Sequence, residues 1–140
     1  MTLKNIVMFR KLKIEKNYGK TVNDVYYVID GNESSVMENF RSLDTDTKKN
    51  VKSLIARMAQ NDSFRSSLIK WNIHKYNFGE IRPMPHRFFF FQKCGNNIIF
   101  FDYANKDRDS LDDKIYKEIN KRKKRYEKEF ERFIRRDQRI

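Results

Sequence analysis

Between Glu80 and Lys106 the sequence gathers side chains that bind phosphate or move protons: Arg82, His86, Arg87, Asp102, Tyr103 and Lys106. They stand at the ends of two apolar runs, Phe88 to Phe91 and Ile98 to Phe101, not inside them. Arginine's planar donors match phosphate oxygens, and His, Asp, Tyr or a Lys of depressed pKa can serve proton transfer. Such a set suits RNA cleavage without a metal. The neighbouring 2′-hydroxyl attacks its own phosphate, while the protein orients the attack and neutralises the charge that develops on the phosphorane. Other chemistries lack their residues. The four Gly, at 19, 31, 79 and 95, make no glycine-rich phosphate loop. Neither a nucleophile elbow nor a paired-histidine zinc motif occurs. The two His, at 74 and 86, lack metal-ligand spacing, and the single Cys94 permits neither an internal disulfide nor a cysteine zinc site. No cofactor and no metal are expected.

These residues need strands to position them. Gly95, Asn96 and Asn97 tolerate the positive φ of a tight turn, so the two apolar runs read as a hairpin. Pairing Cys94 with Asn97 sets Phe89 opposite Asp102, Phe88 opposite Tyr103 and Arg87 opposite Ala104. Alternation then places Arg87 and Asp102 on one face, His86 and Tyr103 on the other. A strand from about Phe78 to Arg82 brings Arg82 opposite Arg87, with Glu80 beside it. Facing arginines repel unless an anion lies between them, whether Asp102, Glu80 or a phosphate. A bulge would move Tyr103 to the Arg87 face. Both faces of the runs are apolar, so helices must cover them.

The remaining elements follow from periodicity. Residues 1–23 read as an N-terminal extension or edge strand, with a strand near Val7 to Ile14 and a turn at Asn17 to Lys20. Residues 24–110 form the core. Asp24 to Asp30 is a strand with Val25, Tyr27 and Ile29 on one face; Ser35 and Glu38 can form a capping box for a helix to about Leu43. A second helix starts at Asp44-Thr45-Asp46 and carries an apolar stripe of Val51, Leu54, Ile55, Met58 and Ala59. Phe64 to Trp71 reads as a short helical turn with Trp71 as a core anchor. A long helix over 111–136 buries Leu111, Ile115, Ile119, Tyr126, Phe130, Phe133 and Ile134. The expected fold is α+β in a single domain. A four- or five-stranded, mostly antiparallel curved sheet carries a helical hairpin on one face and packs against the C-terminal helix.

Charge points to the partner. Thirty-one Lys and Arg against nineteen Asp and Glu give a net charge of +12, which favours a polyanion. The cluster Lys121 to Arg125 reads either as a solvated helix face or as phosphate contacts, with Lys121 and Lys124 the candidate substrate-binding cations. No membrane partner is expected, because apolar runs of four residues fall far short of the roughly 20 a span needs. Lys4, Arg10, Lys11 and Lys13 break any leader-like stretch, so the cytoplasm is the expected compartment.

The run EIRP…HRFFFF…NNIIFFDYANK followed by a charged helix resembles the RelE/HigB-like toxins of bacterial type II toxin–antitoxin systems, nearest the phage-derived HigB-like branch. In element order the resemblance extends from about Asp24 to Phe133. It implies a RelE/ParE-like toxin fold and a metal-independent endoribonuclease acting on mRNA in the ribosomal A site. Its partner would be a cognate antitoxin, a small DNA-binding protein with an acidic contact segment. By the same resemblance, Arg82 and Arg87 match the two arginines that hold the scissile phosphate. Asp102 and Tyr103 match an Asp-Tyr pair at the end of the last strand, and Lys106 the first lysine of a Lys-Lys pair. Ala104 stands where some HigB toxins have His, and Asp107 where the second lysine is; His86 is a candidate substitute. The catalytic set expected is Arg87, Tyr103, Asp102 and Lys106, with Arg82, His86, Lys121 and Lys124 binding substrate. Two alternatives stand beside it: a ParE-like toxin that binds and inhibits DNA gyrase, and a basic RNA-binding module without catalysis.

Overall fold

A computed structural model of the chain describes residues 6–14, 21–60, 68–71, 76–108 and 111–138. Strand β1 (Val7–Lys11) leads to β2 (Asp24–Asp30), then helices α1 (Ser35–Arg41) and α2 (Thr45–Gln60). Four more strands follow, β3 (Ile69–Trp71), β4 (Gly79–Ile81), β5 (His86–Gln92) and β6 (Asn97–Asn105), and then α3 (Asp113–Gln138). The expected turn at Asn17 to Lys20 lies outside the described residues, as does most of the helical turn drawn from Phe64.

The strands form one six-stranded sheet in the order β1-β2-β6-β5-β4-β3. It is mostly antiparallel, as expected, but mixed, because β2 runs parallel to β6, with Val25 opposite Ile98 and Tyr27 opposite Phe100. The edges are β1, the expected N-terminal edge strand, and β3, the one strand beyond those expected. Residues 7–11 pair antiparallel with β2, and residues 69–71 pair antiparallel with β4. The helical reading of Ile69 to Trp71 is therefore corrected: three residues suffice when a neighbouring strand supplies the hydrogen bonds. Trp71 is not a core anchor either. It is 38 % exposed on this edge strand, its ring set edge-on against Phe90 at 4.6 Å.

Both faces are covered. On one, Val25, Tyr27, Ile81, Phe88, Phe90, Ile98 and Phe100 pack against α1 and α2. On the other, Phe9, Tyr26, Phe89, Phe91, Ile99 and Phe101 meet Tyr116, Ile119, Tyr126 and Phe130 of α3. Tyr116 is buried in α3, a position the apolar stripe omitted. This double burial explains why β5 and β6 are apolar without alternation.

Local chemistry fixes the helix ends. Ser34, one residue earlier than expected, caps α1: its hydroxyl accepts from the Met37 N–H at 3.1 Å. Asp44 does the same for α2, accepting from the Thr47 N–H at 2.7 Å. That bond holds the Asp44 carboxyl below its ordinary pKa. At the far end of α2, the Ala59 carbonyl accepts from the N–H groups of Val22 and Asn23, and the buried Asn23 side chain donates to the Met58 carbonyl. Carbonyls left over by the helix are thus satisfied by the residues that enter β2. The α3 helix is fastened to the end of β2 by Asp30, which accepts from the Tyr126 hydroxyl and from Arg125, each at 2.8 Å.

Candidate functional site

The polar end of the sheet is set by the β5–β6 register. Phe89 lies opposite Asp102, Phe88 opposite Tyr103 and Arg87 opposite Ala104, as alternation required. Nearer the turn the register shifts by one, at a bulge between Phe89 and Phe90. The turn itself differs from expectation: positive φ falls on Cys94 (56°) and Gly95 (86°) rather than on the asparagines. Bulge and turn shift cancel, so Tyr103 stays on the His86 face.

Three groups result. The first is on the α3 face. Glu80, fully buried, lies between Arg82 and Arg87 and is the anion that facing arginines demand. Its Oε1 accepts from Arg82 Nε at 2.8 Å, and Arg82 Nη2 lies 2.6 Å away. Its Oε2 has no hydrogen-bond donor and lies 3.7 Å from Arg87 Nε. The Arg87 side chain is only 5 % exposed, and its Nη1 donates to the His86 carbonyl at 3.0 Å and Met84 Sδ at 3.2 Å. Arg82, 31 % exposed, is the arginine of the pair that meets solvent.

The second group is Asp102 with Arg122, whose Nε donates to Oδ2 at 2.6 Å. The other carboxylate oxygen accepts from the Tyr103 N–H at 2.9 Å. Burial pushes the Asp102 carboxyl above its ordinary pKa, and Arg122 offsets only part of that. This carboxylate holds α3 to the sheet and does not bridge the two arginines.

The third group is on the helical-hairpin face. His86 Nδ1 and the Tyr103 hydroxyl share a hydrogen bond of 2.6 Å, and the phenol ring packs at 5.0 Å on Phe88. Burial, then the charge of Arg108, hold the His86 pKa below its ordinary 6.5; Asp44 and Asp107 oppose this and Arg87 adds to it. His86 is therefore a neutral imidazole at pH 7, with a phenol fixing one nitrogen. The loop after β6 is drawn alongside, because the Lys106 N–H donates to the Pro85 carbonyl at 2.9 Å. Lys106 and Arg108 are both exposed there. Tyr103 also lines a cleft of about 490 Å³ with Ala104, Lys114, Glu118 and Arg122, between the end of β6 and the first turns of α3.

The structure thus brings Arg82, His86, Arg87, Tyr103 and Lys106 to one end of the sheet, and divides them between two faces. Lys121 and Lys124 are exposed on α3, which packs on the sheet face opposite that of Tyr103. Arg108 was passed over as part of a polar loop; its place two residues beyond Lys106 was the available signal. Among the described residues, no group of three or more His, Cys, Asp or Glu could hold a metal ion. Nor is any described helix long and apolar enough to cross a membrane. Neither a family model, nor a curated protein, nor a solved structure matches this chain.

Proposed function

We propose that this protein is an endoribonuclease of the RelE/HigB-like toxin type, cutting mRNA on the ribosome and held inactive by an antitoxin. The observation that supports this reading best is the 2.6 Å His86–Tyr103 bond, with the Arg108 charge bearing on the imidazole and the Lys106 backbone tied to Pro85 beside it. The helical hairpin laid on the sheet between its first core strand and the last three is consistent with the RelE/ParE-like arrangement.

A neutral imidazole held by a phenol is a general base ready for use at pH 7. In the proposed step His86 takes the proton of the 2′-hydroxyl as its oxygen attacks the adjacent phosphorus. The bond to the 5′-oxygen breaks, leaving a 2′,3′-cyclic phosphate and a 5′-hydroxyl whose proton comes from the Lys106 ammonium. Arg108, whose charge bears on the imidazole, neutralises the phosphorane oxygens. Arg82, on the α3 face and paired with Glu80, would bind a flanking phosphate through its partly exposed side chain. Arg87, spent on Glu80 and on the Met84–His86 turn, supports the rim from beneath.

The test is primer extension on mRNA incubated with ribosomes and protein. His86→Gln should slow cleavage by about 10²-fold or more. Wild-type cleavage should also fall on the acid side of pH 6.5, as His86 gains its proton. Cleavage by His86→Gln at the wild-type rate removes the imidazole from the mechanism. The burial of Arg87 favours a second reading, a basic RNA-binding module without catalysis; bound but intact RNA in the wild-type lane would select it.

A further inference from the structure

The outward side of α3 carries a pattern that the proposed cleavage step leaves unused, and it includes Lys121 and Lys124, the candidate substrate-binding cations. Lys114, Lys117, Lys121, Lys124 and Lys128 recur at alternating spacings of three and four, and all are exposed. Arg132 and Arg135 continue the series, also exposed. At about 100° per residue these positions fall within one sector of roughly 80°, opposite the face that buries Tyr116, Ile119, Tyr126 and Phe130. Every position in that sector is a cation.

The helix's glutamates neutralise it only in part. Glu118 pairs with Lys121, Glu127 with Lys123 and Lys93, Glu129 with Arg132, and Glu131 with Lys93. Among the described residues, Lys114, Lys117, Lys124, Lys128 and Arg135 have no carboxylate within ion-pair distance. A solvated helix face ordinarily mixes signs, because like charges one turn apart repel. Five unpaired cations in one line carry that repulsion, and a polyanion relieves it.

We infer that this stripe is a second RNA-binding surface, a rail that grips the sugar-phosphate backbone of helical RNA. At 1.5 Å rise per residue, Lys114 to Arg135 spans about 32 Å, with a cation roughly every 5 Å. A line of cations this long can face several backbone phosphates at once. Lysine is a point charge without a planar fork, and no Asn, Gln or aromatic residue lies in the sector, so the rail binds backbone without reading bases. A membrane fits poorly: the apolar residues of α3 are spent on the sheet, leaving nothing in the sector to insert. Lys114 also lines the Tyr103 cleft, so RNA along the rail has one end at the proposed cleavage site. Only the choice of RNA as the polyanion rests on the cleavage reading.

The experiment measures binding of a 2′-O-methyl RNA hairpin, which cannot be cleaved, by fluorescence anisotropy across salt concentrations. A triple variant, Lys117→Gln with Lys121→Gln and Lys124→Gln, should flatten the slope of log K against log salt by about 2–3, near 0.9 per lost contact. A variant with Lys48→Gln, Lys49→Gln and Lys52→Gln on α2 changes net charge equally and should keep the wild-type slope. Equal losses in both variants would mean diffuse charge and overturn the rail. So would an unchanged slope in the α3 variant, or phosphatidylglycerol vesicles binding more tightly than the hairpin. Because nothing is cleaved, failure here leaves the His86 test standing, and failure of that test leaves the rail standing.

Discussion

Removing the charge of Glu80 should unfold this protein more readily than any surface change. In Glu80→Gln the shape is kept and the anion between Arg82 and Arg87 is lost. Arg82 is 31 % exposed and can turn to water, so the cost falls on Arg87. Its side chain is 5 % exposed and would keep only the His86 carbonyl and Met84 Sδ as partners. Breaking a buried ion pair from one side costs about 3–5 kcal/mol, because a charge is left without a counter-ion. With a urea dependence of about 2 kcal/mol per molar, the unfolding midpoint should fall by about 2 M. Replacing both partners, Glu80→Met with Arg87→Met, strands no charge and should recover most of the loss. A midpoint that falls by less than about 0.5 M in Glu80→Gln would refute the claim that this pair is sealed from water. The same geometry complicates Arg87→Ala as a probe of chemistry. It leaves Glu80 with Arg82 alone and opens a void beside it, so lost cleavage would also report a destabilised fold, and His86→Gln is the cleaner variant.

Two further outcomes follow from the packing around this pair. Arg122→Gln leaves the Asp102 carboxylate with the Tyr103 N–H alone, and should cost about 2 kcal/mol near pH 7. The Asp102 pKa already lies above its ordinary value, and losing Arg122 raises it further. A carboxyl whose folded pKa exceeds its unfolded one binds more protons when folded, so the deficit should shrink as pH falls toward about 4. Urea midpoints at the two pH values measure this, and a deficit independent of pH would contradict it. Gly79→Ala places a methyl 2.7 Å from Phe90 Cζ and 2.8 Å from the Lys70 carbonyl oxygen. The β3 backbone must yield, at about 1–3 kcal/mol by thermal unfolding; a neutral substitution would mean that β3 does not hold this position.

The sequence discloses most where an apolar run has clear ends. Asp24 to Asp30 emerges residue for residue as β2, because the apolar run Val25 to Ile29 lies between two aspartates and Gly31 follows. The rim register of β5 and β6 is equally legible, since any slip would turn Arg87 and Asp102 to the other face. Legibility ends where a partner lies far off in the chain. Nothing near Asp102 announces that Arg122 will reach it, because that depends on where α3 crosses the sheet. Residues 69–71 carry no strand signal of their own and become β3 through β4. The Arg82–Arg87 opposition predicts an anion between them, but Glu80, Asp102 and a phosphate satisfy that rule alike. Burial chose Glu80, and thereby turned Arg87 from an expected substrate contact into an internal cation.

The parallel seam between β2 and β6 bears on how the chain assembles. Asp24 meets Asn97, 73 positions later, whereas β5 and β6 are joined by one short turn. Closing the longer loop costs roughly 4 kcal/mol of chain entropy on a logarithmic scale. The hairpin can therefore form early, with the seam the late and rate-limiting event. Until it zips, one border of β6 has its amides and carbonyls unsatisfied beside bare phenylalanines. Speed of docking by the first core strand, more than final stability, would then govern how much newly made chain escapes clumping.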